Sequence, residues 1–238
     1  MRNVSQFLID SKKQQQKLLS VLLDPDKIKI DHFDKLIDQL KNAPIHLILI
    51  GGSNGDMSNA SSLVAQLKRK LNYPILLFPG HPAHLIDNVD AILFNVLISG
   101  NNPDYLINYQ IEAMPFIEKN QLETIANGYM LIDGGRETAV QKVTKTIPLD
   151  IENINKIINT ALVSQYLGHK TVYLEAGSGA NIHVPLTIIK QVAKRIKLPL
   201  IVGGGIQTKQ QINSIFEAGA DVVVIGTAFE NNLNFFND

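Results

Sequence analysis

The sequence contains no cysteine, which excludes disulfide bonds, thiol nucleophiles and cysteine-ligated metals. A chain without disulfides fits a reducing compartment, and residues Met1–Gln6 show no apolar export signal. No apolar run approaches the roughly 18 residues that a membrane-spanning helix needs. We therefore expect a cytoplasmic protein without a transmembrane segment.

The chain also lacks an excess of either charge, with 22 basic and 22 acidic side chains. It therefore has no overall positive field that would gather nucleic acid. Apolar residues make up 45% of the 238 positions, which is enough for a large core and too many for a disordered chain. Because no linker or low-complexity run divides the sequence, we predict one domain over residues 1–238.

Short apolar runs alternate with helix-like segments along the whole chain. Eight runs have the length and continuity of strands that are buried on both faces of a parallel sheet: Leu18–Leu23, His46–Ile50, Ile75–Phe78, Ala91–Phe94, Gly128–Ile132, Thr171–Leu174, Leu200–Val202 and Val222–Ile225. The segments with helical spacing are Lys27–Asn42, Ser58–Leu71, Asp104–Lys119, Ile151–Leu167, Pro185–Ile196 and Thr208–Ala218. This alternation predicts an α/β protein with a closed (β/α)8 TIM barrel.

Two connections depart from the regular pattern. Only twelve residues separate Phe78 from Ala91, which is too few for two turns and a covering helix. We expect the third helix to be missing or reduced to a loop, and the resulting gap could form a groove for an apolar ligand. The segment Asp104–Lys119 contains Pro115, which predicts a kink or a break there.

Glycines follow the seventh and eighth predicted strands, where phosphate-binding barrels hold phosphate. Gly204 and Gly205 follow one strand, and Gly226 and Thr227 follow the other. Residues without Cβ let backbone N–H groups approach an anion closely. The same glycines could serve only to make tight turns, but two clusters at the two required strands favour a phosphate site.

Acidic and hydroxyl side chains follow the first two strands. Asp24 at the end of the first strand and Ser53 after the second offer oxygen ligands of the kind that Mg²⁺ prefers. Asp26 directly precedes the predicted helix beginning near Lys27, so it is interpreted as a helix cap.

Glu175 follows the sixth predicted strand and stands just before the loop Gly177–Gly179. A carboxylate facing an apolar-walled mouth has a raised pKa, which suits a general base. The alternative is an ordinary structural partner of a nearby Lys, Arg or hydroxyl. Tyr173 is either an aromatic at the edge of the core or a hydrogen-bond donor to substrate.

Six motifs together resemble the geranylgeranylglyceryl phosphate synthase family of phosphoglycerol prenyltransferases, over nearly the whole chain. They are Leu23–Lys27, Gly51–Gly55, Phe78–Gly80, Tyr173–Ala180, Ile201–Ile206 and Gly226–Thr227. The stretch from Tyr173 is specific, whereas the glycine triplet alone fits many phosphate-binding barrels. Leu22 stands where the related bacterial heptaprenyl enzymes carry a Lys, so the pattern is of the archaeal type.

The resemblance implies a Mg²⁺-dependent enzyme that alkylates the sn-3 hydroxyl of sn-glycerol 1-phosphate with a polyprenyl diphosphate, geranylgeranyl being the expected chain. It implies Asp24 and Ser53 at the Mg²⁺. Glu175, which would then lie close to the glycerol hydroxyl, is our candidate for the base. The resemblance also implies that these residues hold glycerol phosphate: Tyr173, Leu174, Glu175, Ala176, Gly177, Ser178, Gly179, Gly204, Gly205, Gly226 and Thr227. The family's barrel also lacks a regular third helix. We expect a homo-oligomer that contacts membranes transiently with its lipid product.

Two other functions remain as alternatives. A sugar-phosphate aldolase or isomerase would share the phosphate site. However, none of Lys27, Lys145 and Lys170 lies on a strand in the inward position that a Schiff-base lysine needs. A non-catalytic protein that binds a phosphorylated ligand is the other alternative. The six histidines show no metal-ligand spacing and are interpreted as surface or structural residues.

Overall fold

A computed structural model describes residues 3–28, 33–52 and 57–237. Eight parallel strands pair in chain order, and the first also pairs with the last, which confirms the predicted closed barrel. The strands are β1 (Leu18–Leu23), β2 (Leu47–Ile50), β3 (Ile75–Leu77), β4 (Ala91–Leu97), β5 (Thr124–Leu131), β6 (Thr171–Glu175), β7 (Leu200–Gly203) and β8 (Val222–Ile225).

The strands are apolar on both faces because each face is covered. On β2, Leu47 and Leu49 pack inside the barrel, whereas Ile48 and Ile50 pack against the outer helices. Successive side chains of a strand point to opposite faces, so the two apolar layers need near-continuous apolar runs. This explains why the runs predicted the strands.

Nine α-helices accompany the strands in the described ranges, and none is long and apolar enough to cross a bilayer. They are α1 (Val4–Lys13), α2 (Phe33–Asn42), α3 (Ala60–Lys70), α4 (Tyr109–Asn120), α5 (Ala139–Thr144), α6 (Ile154–Tyr166), α7 (Leu186–Ala193), α8 (Lys209–Ala218) and α9 (Thr227–Asn231).

Helix α1, which the sequence reading missed, closes the amino-terminal end of the barrel. Val4 and Leu8 pack into the same apolar layer as the inward side chains of the strands. The backbone N–H groups of Val4 and Ser5 donate to the Glu123 carboxylate, at 2.9 and 2.7 Å, next to the start of β5. This end of the barrel is therefore covered by α1, and the strands terminate at the opposite end.

The connection between β3 and β4 contains a single 3-10 turn, Pro82–His84, and no α-helix. The sequence predicted that the barrel helix between β3 and β4, the third of the regular pattern, is missing, and this prediction is confirmed. The prediction that Asp26 caps a helix near Lys27 is wrong, because residues 25–27 form a turn. Helix α2 is described from Phe33 onward.

The helix predicted from Asp104 has an irregular start and a regular interior. A π-helical turn covers Asp104–Asn108, and α4 then runs without interruption through Pro115. The helix is therefore not broken at Pro115, and a kink there stays a prediction. Proline removes one hydrogen bond to the carbonyl of Ile111, four residues earlier. Ile111 is exposed, so water can satisfy that carbonyl and the helix continues.

Candidate active site

The loops after β6, β7, β8 and β1 meet along one side of the barrel mouth. In the strand register Glu175 pairs with Gly203, and Gly203 pairs with Val224 near the end of β8. Strand β8 in turn pairs with β1, which ends directly before Asp24. Segments far apart in sequence therefore become neighbours.

Glu175, the last residue of β6, is a buried carboxylate with 6% of its surface exposed. The backbone N–H of Gly177 donates to Glu175 Oε1 at 2.7 Å. Burial raises the pKa of Glu175 to about 7, although this hydrogen bond and the Tyr173 hydroxyl act to lower it. A carboxyl group with this pKa can accept and release a proton near neutral pH.

Tyr173 is a buried aromatic, as one of its two sequence interpretations predicted, and donation to a substrate stays a prediction. Its ring is fully buried, and its hydroxyl lies close enough to the Glu175 carboxylate to affect its pKa. The hydroxyl nevertheless makes no hydrogen bond of good geometry to any described residue. Such an unsatisfied buried hydroxyl is available to a substrate group placed beside Glu175.

The glycine triplet after β7 packs directly against the Glu175 loop. Gly204 has a φ of +81°, and a Cβ there would lie 2.5 Å from Gly177 N and 2.9 Å from Ala176 N. Gly205 has a φ of +66°, and a Cβ there would lie 2.8 Å from His183 N. These positions require glycine for both backbone conformation and space. The nearby N–H groups of Gly177 and Ala176 donate to Glu175 Oε1 and to the Gly203 carbonyl.

The loop after β6 also contacts the start of α9. The hydroxyls of Ser178 and Thr227 are 3.2 Å apart, and Ser178 and Gly179 are exposed. The structure thus gathers the segments Tyr173–Gly179, Gly204–Gly205 and Gly226–Thr227 at one part of the mouth. Their roles in holding a phosphate remain predictions that this proximity favours.

Asp24 lies in a second cluster, at the end of β1. Its backbone N–H donates to Glu230 Oε1 at 3.1 Å. Lys27 Nζ lies 3.3 Å from Asp24 Oδ2 and 3.0 Å from Glu230 Oε2. Burial acts to lower the pKa of Lys27, but Glu230 and Asp24 outweigh it and raise that pKa. A Schiff-base lysine needs a neutral amine, so Lys27 is unsuited to that role.

The Mg²⁺ that the resemblance implies stays a prediction, for which Asp24 offers a carboxylate of the kind that Mg²⁺ prefers. A Cβ on Gly52 would lie 2.7 Å from Asp24 Oδ1, so the glycine leaves space beside this carboxylate. No group of three acidic or histidine side chains that could hold a metal occurs in the described ranges. Mg²⁺ usually takes one or two carboxylates and completes its shell with water and substrate phosphate. Ser53 lies outside the described residues.

Three aromatic rings separate the Glu175 region from the flank of the barrel. Phe78 stacks on Tyr173 with ring centroids 5.5 Å apart, and Tyr129 contacts both rings edge-on at 5.6 and 5.4 Å. Burial raises the pKa of Tyr129, and the charge of nearby Glu175 raises it further. The cluster is therefore next to the proposed base.

An apolar groove begins at this aromatic cluster and runs down the flank along β4. It is open along one side, and most of the residues that line it are apolar. Near the mouth it is lined by Gly52, Phe78 and Tyr129, and farther down by Leu85, Ala113 and Ile117. The groove lies where the absent third helix would have covered the sheet, as the short β3–β4 connection predicted.

The segment that follows β5 and two of the histidines have structural contacts. Asp133 Oδ1 accepts the Gly135 N–H at 2.9 Å, and the Gly134 carbonyl accepts the Asn181 N–H at 3.0 Å. The segment Asp133–Arg136 thus supports the loop after β6. Among the histidines, His46 accepts the Leu19 N–H at 3.1 Å. His81 accepts the Ala83 N–H at 3.0 Å at the start of the 3-10 turn, and it also lines the groove.

Sequence patterns did not identify two residues of the site, Tyr129 and Glu230. Tyr129 sits in a strand and looked like core, and its position beside Glu175 follows only from the pairing of β5 with β6. Glu230 is 206 residues from Asp24 along the chain. The one available signal was its position four residues after Gly226, at the end of the strand that closes the barrel on β1.

The closed barrel, the glycine loops after its last two strands and the groove beside a buried carboxylate define a (β/α)8-barrel protein with an apolar groove at its mouth. The particular family follows from comparison with known proteins. The PcrB family matches residues 11–237, and the chain belongs to this family.

Several relatives carry the name geranylgeranylglyceryl phosphate synthase. The geranylgeranylglyceryl phosphate synthase of Flavobacterium johnsoniae is 46% identical over 237 residues, covering 100% of this chain and 98% of the relative. That of Methanosphaera stadtmanae is 35% identical over 96% of this chain and 93% of its own length. The crystal structure of (S)-3-O-geranylgeranylglyceryl phosphate synthase from Thermoplasma acidophilum, in complex with substrate sn-glycerol-1-phosphate, is 27% identical. It superimposes with a TM-score of 0.92 over 100% of this chain and 95% of that one.

Proposed function

We propose that this chain is a Mg²⁺-dependent prenyltransferase that joins sn-glycerol 1-phosphate to a polyprenyl diphosphate through an ether bond. The names of its relatives favour geranylgeranyl as the prenyl chain. The observation that carries the proposal is the apolar groove opening beside buried Glu175, next to the glycine loops. A phosphorylated acceptor and an apolar donor would therefore meet at one carboxylate.

The reaction needs a proton acceptor next to the acceptor hydroxyl. Glu175 takes the proton of the sn-3 hydroxyl through its carboxylate while the hydroxyl oxygen bonds to C1 of the prenyl chain. The bond between C1 and the diphosphate oxygen breaks, and diphosphate leaves with the bonding electrons. The pKa of about 7 leaves a large fraction of Glu175 ionised at neutral pH.

The other residues bind and orient the two substrates. The loops at Gly177–Gly179 and Gly204–Gly205 would hold the glycerol phosphate through backbone N–H groups, which fixes the hydroxyl for attack. Asp24 and Ser53 would hold Mg²⁺, which compensates the charge of the departing diphosphate when bound. The groove would hold the prenyl chain away from water.

The direct test is to incubate the protein with labelled sn-glycerol 1-phosphate, Mg²⁺ and prenyl diphosphates of several lengths. We expect a labelled ether lipid, with the greatest yield from geranylgeranyl diphosphate. Absence of an ether product with every prenyl diphosphate would refute the proposal. Retained binding of glycerol phosphate without product would instead favour a non-catalytic phosphate binder.

The location and the assembly state are further parts of the proposal. Absence of cysteine supports a cytoplasmic location. Large apolar side chains exposed on the outer surface, including Ile111 of α4 and Tyr166 of α6, support a homo-oligomer that covers them. Transient membrane contact would accompany release of the lipid product.

Replacing Gly204 with alanine should weaken binding of glycerol phosphate at least about tenfold, because the added Cβ meets the backbone at Gly177 and Ala176. Isothermal titration with sn-glycerol 1-phosphate measures the effect. Gly168→Ala is a matched control, since Gly168 has a similar φ of +85° and nothing within 4 Å of the new Cβ. Equal affinities in the two variants would contradict a role for the Gly204 loop.

Enlarging Ala113, which lines the groove from α4, should shorten the accepted prenyl chain. We expect Ala113→Phe to lower kcat/KM for geranylgeranyl diphosphate relative to geranyl diphosphate by about tenfold or more, because the ring fills space needed by the longer chain. Met114→Phe adds an aromatic ring at the next position of the helix, where the side chain is exposed outside the groove. An unchanged chain-length preference in Ala113→Phe would show that the prenyl chain lies elsewhere.

A further inference from the structure

Glu230 is a carboxylate on the short helix α9 that contacts both the backbone and the counter-ion of Asp24. Its Oε1 accepts the Asp24 N–H at 3.1 Å, and its Oε2 lies 3.0 Å from Lys27 Nζ. Lys27 Nζ is also 3.3 Å from Asp24 Oδ2. One ammonium group is therefore shared between two carboxylates from opposite ends of the chain.

The side chains of Asp24, Glu230 and Lys27 differ in how far water can screen their charges. The carboxylates of Asp24 and Glu230 are shielded, with 14% and 10% of their side chains exposed, whereas Lys27 is 51% exposed. Two shielded negative charges and one partly solvated positive charge leave a net negative charge at the mouth. Such a site attracts a divalent cation, and a cation bound at Asp24 would repel the Lys27 ammonium.

The hydrogen bond to the Asp24 backbone requires only a neutral acceptor, which a glutamine would provide. The negative charge of Glu230 has a separate effect, because it gives Lys27 a second partner. Without that charge, Lys27 would still contact the Asp24 carboxylate and would neutralise it. A divalent cation would then have to displace the ammonium group in order to bind.

We propose that Glu230 is a positioning residue that holds Lys27 away from full pairing with Asp24 and so keeps the Asp24 carboxylate available to a divalent cation. This inference rests on the proposed function, in which Asp24 is a metal ligand. It assigns Glu230 and Lys27 a joint role in setting the metal affinity of the site. Neither residue needs to touch the reacting atoms.

The test uses a second substitution that reverses the first. Binding of Mn²⁺ alone, followed by electron paramagnetic resonance, is measured for the unaltered full-length chain, Glu230→Gln, Lys27→Met and the double variant. We expect Glu230→Gln to weaken Mn²⁺ binding by about tenfold or more, as loss of groups that orient metal ligands commonly does. Lys27→Met should tighten binding, and the double variant should return to within about threefold of the unaltered chain, since its net charge is the same.

Each outcome of this comparison decides the inference. If Glu230 only stabilised the fold, removing Lys27 as well would not restore Mn²⁺ affinity, and the double variant would bind no better than Glu230→Gln. Circular dichroism of all four proteins checks that the fold is kept. Absence of Mn²⁺ binding by the unaltered chain would also overturn the inference. Ether formation by the same preparation is measured separately, so the proposed function can stand when this inference fails.

Discussion

Glu175→Gln should lower kcat for ether formation by about 10²–10⁴-fold, the usual contribution of a positioned general base. Glutamine has almost the same shape and can still accept the Gly177 N–H that now donates to Glu175 Oε1. It cannot take a proton from the glycerol hydroxyl. The site should therefore stay assembled while the chemical step slows.

The decisive observation is a separation of binding from turnover. Isothermal titration should show sn-glycerol 1-phosphate affinity within a few fold of the unaltered protein, because the glycine loops that would bind the phosphate are unchanged. Glu217→Gln makes the same chemical change at an exposed position of α8 and should keep full activity. If Glu175→Gln retained its kcat, another group would be the base. If it lost glycerol phosphate affinity instead, Glu175 would act mainly in binding.

The architecture could be predicted because a closed parallel barrel imposes a strong pattern on its sequence. Strands covered on both faces need continuous apolar runs, and β1 was predicted at its observed bounds, Leu18–Leu23. Strand β5 was predicted to begin at Gly128 but begins at Thr124. Buried Asn127 interrupts the apolar run, and its side chain is satisfied by Asn95 and Thr171 from neighbouring strands. Such cross-strand partners are invisible in a single run of sequence.

The glycine loops could be located because their chemistry depends on backbone conformation. Gly204 and Gly205 adopt positive φ and lie against other backbone, and glycine is the residue that tolerates both conditions. The placement of Glu175 followed from its position at a strand end. Its buried surroundings, with the unsatisfied Tyr173 hydroxyl beside it, depend on how β6 and β7 pack.

Glu230 could not be assigned from sequence because its importance comes from closure of the barrel. Strand β8 pairs with β1, which places α9 beside the loop that carries Asp24 and Lys27. A carboxylate in a short terminal helix has no distinguishing pattern of its own. Only one part of the groove could be predicted from the sequence. The short β3–β4 connection indicated an open flank, but the wall supplied by Ala113 and Ile117 of α4 required the fold.

Glu175→Gln should also make the protein more stable at alkaline pH, although it reduces activity. Burial raises the pKa of Glu175 from its ordinary value of 4.5 to about 7, so the native state binds this proton more tightly than the unfolded state. The stabilising contribution is fully present below pH 4.5 and is lost as the pH rises through about 7. At pH 8 the folded protein contains a buried charge that costs about 3 kcal/mol, and glutamine removes this cost.

Thermal unfolding at several pH values tests this prediction. At pH 8 the variant should unfold several degrees higher than the unaltered protein, since about 1 kcal/mol shifts Tm by roughly 2–4 °C in a chain of this size. The difference should shrink as the pH falls and vanish near pH 4.5, where the carboxyl group is protonated when folded. Glu217→Gln, whose side chain is exposed, should show no such pH-dependent gain. A variant less stable than the unaltered protein at pH 8 would mean that the folded state stabilises the Glu175 carboxylate, and the buried base would then have an ordinary or lowered pKa.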